Sequence, residues 1–328
     1  MESSDVDPSE FRGFVRDNPV LELTVKADPD WRGAFLTNSS TDQRQRIDTW
    51  SKGVPLTPKW KSTCDDECAD TDKPGVYLTT ESISRNGRKV AFCANYDTPR
   101  KPTLYVKDLR TGRLTRIKLV CGLVWGEGGQ VIPPQMSDNG RVVHVKGDLT
   151  QGAGYAITAW RGDHLYFNST GRARALKGSG STTRDGGTVF MTVGTRKPNA
   201  ADRTKGRVGA YNIKTRKTVR LPGERQVYGT NVFLFDAFTQ SSRRGRYVVN
   251  ATSVVDRKSG RVADINAILA TAGYQPYTGS DQPYPEEAAL RTISGDGTVV
   301  IAPVGVTYTS QYGFEEWNER QAVIVTGW

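Results

Sequence analysis

The chain has 328 residues, of which 36% are hydrophobic, and its 45 Lys and Arg against 35 Asp and Glu give a formal net charge of +10. No stretch approaches the roughly 18 consecutive apolar residues of a transmembrane helix, so the sequence predicts no membrane span. The Arg residues are spread through the turns and no nucleic-acid-binding motif accompanies them, so we expect no nucleic-acid partner.

The N-terminal segment is polar and acidic. It begins Met1-Glu2-Ser3-Ser4-Asp5, which is not a signal peptide, and we expect residues 1–10 to form a flexible tail before a single domain over 11–328. A weak first repeat unit follows, with turns predicted at Gly33 and Gly53. The segment Phe11-Arg12-Gly13-Phe14-Val15 could add a strand to the last unit of the chain.

A turn of the form Ser/Thr-x-Asp/Asn-Gly recurs about every 50 residues after this, and a short β-rich run follows each copy. Asn-Gly and Asp-Gly favour hairpin turns because they tolerate positive φ. Each copy therefore predicts a tight turn between two strands. The copies are Ser84-Arg85-Asn86-Gly87, Ser137-Asp138-Asn139-Gly140, Thr183-Arg184-Asp185-Gly186, Ser294-Gly295-Asp296-Gly297 and, without the acidic residue, Ser242-Arg243-Arg244-Gly245.

The second half of each unit also repeats. The run from Leu104 to Gly112 alternates apolar and polar residues into a Thr-Gly turn, and Arg113 to Ile117 leaves that turn as another strand. Each unit therefore predicts a four-stranded antiparallel meander. Six units predict an all-β, six-bladed β-propeller whose ring is closed by N- and C-terminal strands that share one blade, with five or seven blades as alternatives.

The repeat resembles that of TolB-type β-propellers, also called PD40 or WD40-like repeats. The copy from Ser84 to Gly112 matches best, and the resemblance covers roughly residues 25–328. The usual Pro between Ser and Asp is absent throughout, with Arg85, Asp138, Arg184, Arg243 and Gly295 in its place. The resemblance implies the fold, and it implies function only as a ligand bound on one face or in the channel.

The four cysteines form two local pairs. Cys64 and Cys68 flank an acidic loop, whereas Cys93 and Cys121 belong to one repeat unit. This division predicts the disulfides Cys64–Cys68 and Cys93–Cys121 in a secreted or otherwise extracytoplasmic protein. A zinc site, or four reduced thiols in a cytoplasmic protein, are the alternatives.

Catalytic motifs are scarce, so no catalytic residue is assigned. The only two histidines are His144, which lies between valines and is expected to be a packed strand residue, and His164 in a loop. No Gly-x-Ser-x-Gly motif is present, and no His/Asp/Glu cluster has metal-ligand spacing. The acidic stretch 65–72 could supply calcium ligands, but a solvated loop is the simpler interpretation. We expect neither a metal nor a cofactor.

Two groups of residues are candidates for ligand binding. The innermost strand of each blade precedes the Ser-x-Asp-Gly turn, which predicts a polar channel whose ligand-binding residues are Glu81, Gln135, Gln240 and Arg291. The segments 274–285 and 307–318 are predicted to be long rim loops, where exposed aromatic residues often anchor a partner. Their candidate residues are Tyr277, Tyr284, Tyr308, Tyr312 and Trp317.

Two functions follow from these candidates. The first is a non-catalytic binding or scaffold propeller of a bacterial envelope, a monomer that recognises a protein, peptide, saccharide or small polar ligand through one rim. The alternative is an enzyme, such as a lyase, hydrolase or biosynthetic cyclase, with its site at the mouth of the central channel. The scarcity of His and the absence of a triad motif favour binding.

Overall fold

The computed structural model describes residues 21–22, 35–38, 44–62, 72–125, 130–151, 157–160, 162–193, 207–220, 240–249, 253–264, 267, 290–309 and 315–328. The regular structure in these ranges is almost entirely β-strand, so the all-β prediction is confirmed. Within the same ranges, no helix is both long enough and apolar enough to cross a bilayer.

The first two sheets follow the chain in order. Sheet 1 has three strands, β1 (Leu21–Glu22), β2 (Phe35–Asn38) and β3 (Arg44–Arg46). Sheet 2 is a four-stranded antiparallel meander of β4 (Val76–Tyr77), β5 (Lys89–Ala94), β6 (Thr103–Asp108) and β7 (Leu114–Val120). Sheet 2 therefore has the strand order that its repeat unit predicts.

The next eight strands form two interleaved sheets. They are β8 (Leu123–Trp125), β9 (Gln130–Val131), β10 (Gln135–Met136), β11 (Val142–Val145), β12 (Leu149–Gln151), β13 (Ile157–Trp160), β14 (His164–Phe167) and β15 (Arg172–Ala175). Sheet 3 is the predicted meander, in the order β10-β11-β14-β15. The inserted sheet has the order β13-β12-β8-β9 and contains a parallel pair, β12 with β8. The repeat pattern does not predict this sheet, because its strands are short and pair across β10 and β11.

The last three sheets return to simple meanders. Sheet 4 consists of β16 (Gly180–Thr182), β17 (Thr188–Val193), β18 (Arg207–Asn212) and β19 (Thr218–Arg220). Sheet 5 consists of β20 (Gln240–Ser241), β21 (Tyr247–Val249), β22 (Ser253–Asp256) and β23 (Val262–Asp264). Sheet 6 has three described strands, β24 (Leu290–Ile293), β25 (Val299–Thr309) and β26 (Glu315–Val325).

The predicted Ser/Thr-x-Asp/Asn-Gly turns join the first two strands of sheets 2 to 6. Their glycines have φ between 65° and 96°, a region that residues with a Cβ rarely adopt. In the turn of sheet 3, the Ser137 hydroxyl donates to Asn139 Oδ1 (2.9 Å) and accepts from the N–H of Val142 (3.0 Å). Equivalent bonds form at Ser84 and Thr183, so the conserved pattern of the turn within this chain has a structural cause.

Successive turns are hydrogen-bonded to one another. The backbone N–H of Arg85 donates to the carbonyl of Asp138 (2.9 Å), and the N–H of Asp138 donates to the carbonyl of Arg184 (2.5 Å). The N–H of Asp185 then donates to the carbonyl of Arg243 (3.0 Å). The turns of sheets 2, 3, 4 and 5 therefore form one continuous row, and the first strands of the sheets lie beside it.

Apolar layers fill the space between neighbouring sheets. Sheets 2 and 3 share a cluster that includes Ala91, Leu104, Val106, Val143 and Val145. Sheets 3 and 4 share one that includes Val142, Leu165, Val189, Met191 and Tyr211. Sheets 5 and 6 share a third, which includes Tyr247, Val249, Val254, Ile293 and Val299. Meanders that stack face to face with their first strands on one side have the arrangement of β-propeller blades.

The disulfide between Cys93 and Cys121 is confirmed. It joins β5 to the residue that follows β7, with 6.2 Å between the two Cα atoms, and both residues are fully buried. Cys64 and Cys68 lie outside the described residues, so their disulfide stays a prediction. The number of blades, the closure of the ring and the division into a tail and one domain also stay predictions.

Two local predictions are wrong. Thr80–Ser82, predicted as an innermost strand, forms a 3₁₀ turn after β4, because the Thr79 N–H donates to Ser82 Oγ (3.0 Å) and the Ser82 N–H donates to the Thr79 carbonyl (2.9 Å). Segment 307–318, predicted as a rim loop, contains strand residues on both sides of 310–314, since β25 and β26 continue their pairing to Thr309 and Glu315. In this part of the hairpin Thr307 pairs with Trp317 and Thr309 pairs with Glu315.

Candidate ligand-binding site on the inner strands

Four successive sheets contribute residues to one small pocket, which we call the inner pocket. Its lining residues are Glu81, Gln135, Met136, Ser137, Ser181, Thr182, Thr183, Arg184 and Ser241. Glu81 comes from the 3₁₀ turn of sheet 2, and the others come from the first strands and turns of sheets 3, 4 and 5. The cavity measures about 20 Å³, which is room for one or two groups the size of a water molecule.

Gln135 links the two sides of the inner pocket. Its Nε2 donates to Glu81 Oε2 (2.9 Å), and its Oε1 accepts from the backbone N–H of Thr182 (3.4 Å). The Ser82 hydroxyl, next to Glu81, donates to the carbonyl of Pro134 (2.7 Å). These bonds join the 3₁₀ turn of sheet 2 to the first strands of sheets 3 and 4, so the pocket is held in part by its own lining residues.

A buried polar chain lies behind the pocket. His144 Nε2 is 2.8 Å from Asp163 Oδ2, and His144 Nδ1 is 2.8 Å from Thr182 Oγ1. The Asp163 carboxylate also accepts from the N–H groups of Gly147 (2.9 Å) and Gly180 (3.0 Å). His144 and Asp163 belong to sheet 3, whereas Thr182 and Gly180 begin sheet 4. The chain therefore ties these two sheets together and ends at a residue that lines the pocket.

The protonation states of this chain follow from its burial and charges. Desolvation lowers the pKa of His144, although the bond to Asp163 opposes this effect. Burial acts to raise the pKa of Asp163, but the Lys146 ammonium, His144 and the Gly147 N–H together hold it below its usual value. Asp163 is therefore ionised and His144 is neutral at pH 7, with the imidazole proton on Nε2, which faces the carboxylate.

Arginine side chains surround one carboxylate at the turn row. Asp138 Oδ1 is 2.9 Å from Arg184 Nε, and Asp138 Oδ2 is 2.9 Å from Arg243 Nε. Arg85 occupies the same position in the turn of sheet 2, and its side chain is exposed. The four turns together contain four Arg residues (Arg85, Arg184, Arg243 and Arg244) and two Asp residues (Asp138 and Asp185), which gives the row a net positive charge beside the inner pocket.

The structure brings together only part of the predicted site. Of the channel candidates, Glu81 and Gln135 line the inner pocket and contact each other. Gln240 is the first residue of β20, next to Ser241 of the pocket, and Arg291 pairs with Ile301 in sheet 6. The ligand-binding role of all four residues stays a prediction.

The aromatic rim candidates remain predictions. Tyr308 lies in β25 and pairs with Glu316, and Trp317 lies in β26 and pairs with Thr307. Tyr277, Tyr284 and Tyr312 lie outside the described residues.

Two residues near the inner pocket, His144 and Arg184, were not identified as site residues from the sequence. His144 was interpreted as a packed strand residue, which is correct for its burial but omits its bonds to Asp163 and Thr182. Arg184 was counted among scattered turn arginines, yet it lines the pocket. Its equivalence to Arg85 and Arg243 within the repeat was the signal that could have placed these side chains together. Among the described residues, no group of His, Cys, Asp and Glu could hold a metal ion.

No known protein family and no curated protein matches the sequence. Among solved structures, the chain is similar to TolB from Acinetobacter baumannii, at 12% identity and a TM-score of 0.39, over 89% of this chain and 59% of that one. The chain thus spans less than two thirds of the length of that TolB. It is also similar to an oligogalacturonate lyase in complex with manganese (12% identity, TM-score 0.46, 83% of this chain and 68% of the lyase).

A third similar structure is the β-propeller domain of the trilobed protease from Pyrococcus furiosus, at 14% identity and a TM-score of 0.44, over 89% of this chain and 74% of that domain. The fold defines this protein as one of the β-propeller class. The sheets, turns and apolar layers of the structure confirm the fold that the TolB-type repeat implies.

Proposed function

We propose that this protein is a non-catalytic binding propeller and that the inner pocket is the centre of its binding site. The observation that carries the proposal is the convergence of side chains from four successive sheets on one pocket. Ligand sites are concave and gather a few polar groups that fix the ligand's orientation. Glu81, Gln135, Thr182 and Arg184 are such a set, and hydrogen bonds hold the first three in place.

The partner that fits this surface is a protein segment or peptide with a polar end. The pocket itself is small, so it takes one group of the ligand, while the turn row beside it contacts the remainder. Arg85, Arg184 and Arg243 make that row cationic, which favours acidic residues next to the inserted group and raises the rate of association. An extracytoplasmic location in a bacterial envelope agrees with the buried disulfide Cys93–Cys121, because such bonds persist in oxidising compartments.

A peptide selection tests this proposal. Displayed peptides are selected on the wild-type protein, and the affinity of the best binders is measured for Gln135→Ala and Arg184→Ala. We expect a loss of about 10-fold or more for each variant, since each change removes a polar contact that is partly desolvated. Arg172→Ala, an exposed residue of β15 away from the pocket, is the matched control and should bind normally.

The outcome that overturns the proposal is a set of selected peptides that bind the pocket variants and the wild type equally. If those peptides instead lose affinity with Trp317→Ala, the aromatic rim carries the function.

An enzyme is the second candidate, and one observation favours it. Thr182 Oγ1, His144 and Asp163 form a hydroxyl–imidazole–carboxylate chain whose hydroxyl end lines the pocket, and general-base activation of a nucleophile uses the same chemical groups. Hydrolysis of p-nitrophenyl acetate measures it. A rate that falls to the solution background in Thr182→Ala would support hydrolysis, whereas equal rates in wild type and variant would leave binding as the function.

A further inference from the structure

We infer that the inner pocket recognises a primary ammonium group, supplied by the N-terminus or a lysine side chain of the ligand. The inference rests on the proposed function and specifies the chemistry of its site. Thr182 and Glu81 both make hydrogen bonds within the protein. The positions that remain on these two groups can only accept hydrogen bonds from a ligand.

Thr182 offers only lone pairs to the pocket. Asp163 accepts hydrogen bonds and cannot donate, so the proton on His144 Nε2 is committed to it. His144 Nδ1 is therefore an acceptor, and the Thr182 hydroxyl must direct its proton to that nitrogen (2.8 Å). The oxygen of Thr182 is left to accept from whatever enters the pocket.

Glu81 offers acceptors as well. Its Oε2 takes one hydrogen bond from Gln135 Nε2, and a carboxylate has about four lone-pair positions. Gln135 directs its Nε2 to Glu81 and its Oε1 to the Thr182 N–H, so its amide orientation is set by two partners. The Glu81 carboxylate thus has capacity for a ligand donor and carries the negative charge that favours a cation.

Two of the neighbouring hydroxyls donate within their own turns. Ser137 donates within its own turn, to Asn139 Oδ1, and Thr183 donates to Asp185 Oδ1. Arg184 is the donor on the pocket wall, and its Nε is directed to Asp138, which also pairs with Arg243. Asp138, which is not a lining residue of the pocket, therefore partly neutralises the positive charge of Arg184.

Size and charge select an ammonium among possible donors. A cavity of about 20 Å³ accommodates a group the size of a water molecule, and an –NH₃⁺ head is of that size. It has three donors in compact geometry, whereas a guanidinium is a wider planar group. A ligand carboxylate would instead meet the like charge of Glu81 and the lone pair of Thr182, while the Nε of Arg184 is directed to Asp138.

Small monofunctional probes test the inference on the whole chain. n-Butylammonium, butyrate and n-butanol are titrated at constant ionic strength, and dissociation constants are measured by saturation-transfer NMR. We expect n-butylammonium to bind with a Kd of roughly 1–10 mM and the other two probes to bind at least about 10-fold more weakly. Butyrate that binds as tightly as n-butylammonium would overturn the inference.

Variants locate the binding. Glu81→Gln keeps the shape of the side chain and removes its charge, and it should weaken n-butylammonium about 10-fold or more. Thr182→Ser keeps the hydroxyl and should retain binding, whereas Thr182→Val should weaken it. Asp264→Asn, in exposed β23, is the control for loss of one carboxylate. Unchanged n-butylammonium binding in a folded Glu81→Gln protein would show that the pocket does not recognise the charge.

The selected peptides separate the two proposals. If the best peptides need Gln135 but bind equally after N-terminal acetylation and replacement of every Lys, the binding function stands and the ammonium inference is wrong. If n-butylammonium binds through Glu81 but no peptide is selected, the chemistry of the pocket stands and the proposed peptide-binding function is wrong.

Discussion

The junction between sheets 2 and 3 differs from the junction between sheets 3 and 4. The first is filled by apolar side chains and contains the buried Cys93–Cys121 disulfide, and the Gln135–Glu81 and Ser82–Pro134 hydrogen bonds cross its inner end. The second has an apolar layer of its own, but its inner end is occupied by His144, Asp163 and Thr182. Apolar packing is non-directional, whereas a buried hydrogen-bonded chain requires one relative position of the two sheets. The polar junction therefore sets the geometry of the inner pocket.

Breaking the polar junction should have the largest effect on stability. Asp163→Ala leaves the N–H groups of Gly147 and Gly180 and the His144 ring without their acceptor, in a position that is 0% exposed. We expect the free energy of unfolding to fall by about 3–5 kcal/mol, the usual cost of removing one partner of a buried charged network. Urea denaturation measures it.

Asp72→Ala is the control for Asp163→Ala, since the pair of Asp72 with Arg100 is largely exposed and such pairs contribute about 0–1 kcal/mol. Equal destabilisation by the two changes would contradict the role assigned to the buried chain.

Breaking the disulfide should have the next largest effect. The double change Cys93→Ala and Cys121→Ala opens a cross-link between residues 28 positions apart. We expect a loss of about 2–4 kcal/mol, because the unfolded chain regains conformational freedom. The disulfide does not line the inner pocket. We therefore expect this variant to bind the selected peptides with normal affinity. A loss of peptide binding without unfolding would contradict that prediction.

A matched pair of glycines isolates the contact between turns. Gly186 and Gly260 both have positive φ, 71° and 77°. A Cβ on Gly186 would lie 2.8 Å from the Cβ of Ser137 in the turn of sheet 3, whereas a Cβ on Gly260 would have no atom within 4 Å. Both alanine variants should lose about 1–2 kcal/mol from backbone strain, and Gly186→Ala should lose more. Equal melting temperatures for the two variants would show that the contact between the turns of sheets 3 and 4 does not contribute to stability.

The smallest effect is a pH dependence that belongs to the polar junction. The pKa of His144 is lowered by burial in the folded state, so below about pH 6.5 the unfolded chain binds a proton that the folded chain does not. The free energy of unfolding should therefore fall as the pH falls from 7 to 5. The lowered pKa of Asp163 also reduces the free energy of unfolding as the pH falls, at more acidic pH. The unfolded chain binds a proton at this carboxylate there, whereas the folded chain does not.

Melting temperatures of the wild type and His144→Gln from pH 7 to pH 5 check this prediction. The variant should show a shallower decline, since Gln does not titrate. Parallel declines would assign the pH dependence to other groups.

The repeat could be predicted from the sequence because its causes are local. Ser137, Asn139 and Gly140 form their turn through bonds within the turn, and the strands beside it need only the alternation of apolar residues. The inserted sheet could not be predicted in the same way, since Leu149 pairs in parallel with Val124 across the strands of another sheet. Short strands with distant partners carry little local signal.

Some residues of the candidate site could also be identified from local sequence, whereas others could not. Glu81 and Gln135 could be identified because both come shortly before a Ser-x-Asn-Gly turn, and both line the inner pocket although Glu81 lies in a 3₁₀ turn. His144 could not be assigned its partners from the sequence, since Asp163 reaches it through the pairing of β11 with β14 and Thr182 reaches it only when sheets 3 and 4 are packed together. The ligand role of all these residues stays a prediction.

The turns, the meanders, the cysteine pair of sheet 2 and the polar character of the inner strands each depend on residues close together in the chain, so the amino-acid sequence is sufficient to predict them. The contacts between polar side chains of different sheets depend on how the sheets pack: Thr182 beside His144, Gln135 between Glu81 and Thr182, and Arg184 and Arg243 around Asp138. The physical reason is that hydrogen bonds and ion pairs act over a few ångströms, a distance that the stacking of separate sheets controls.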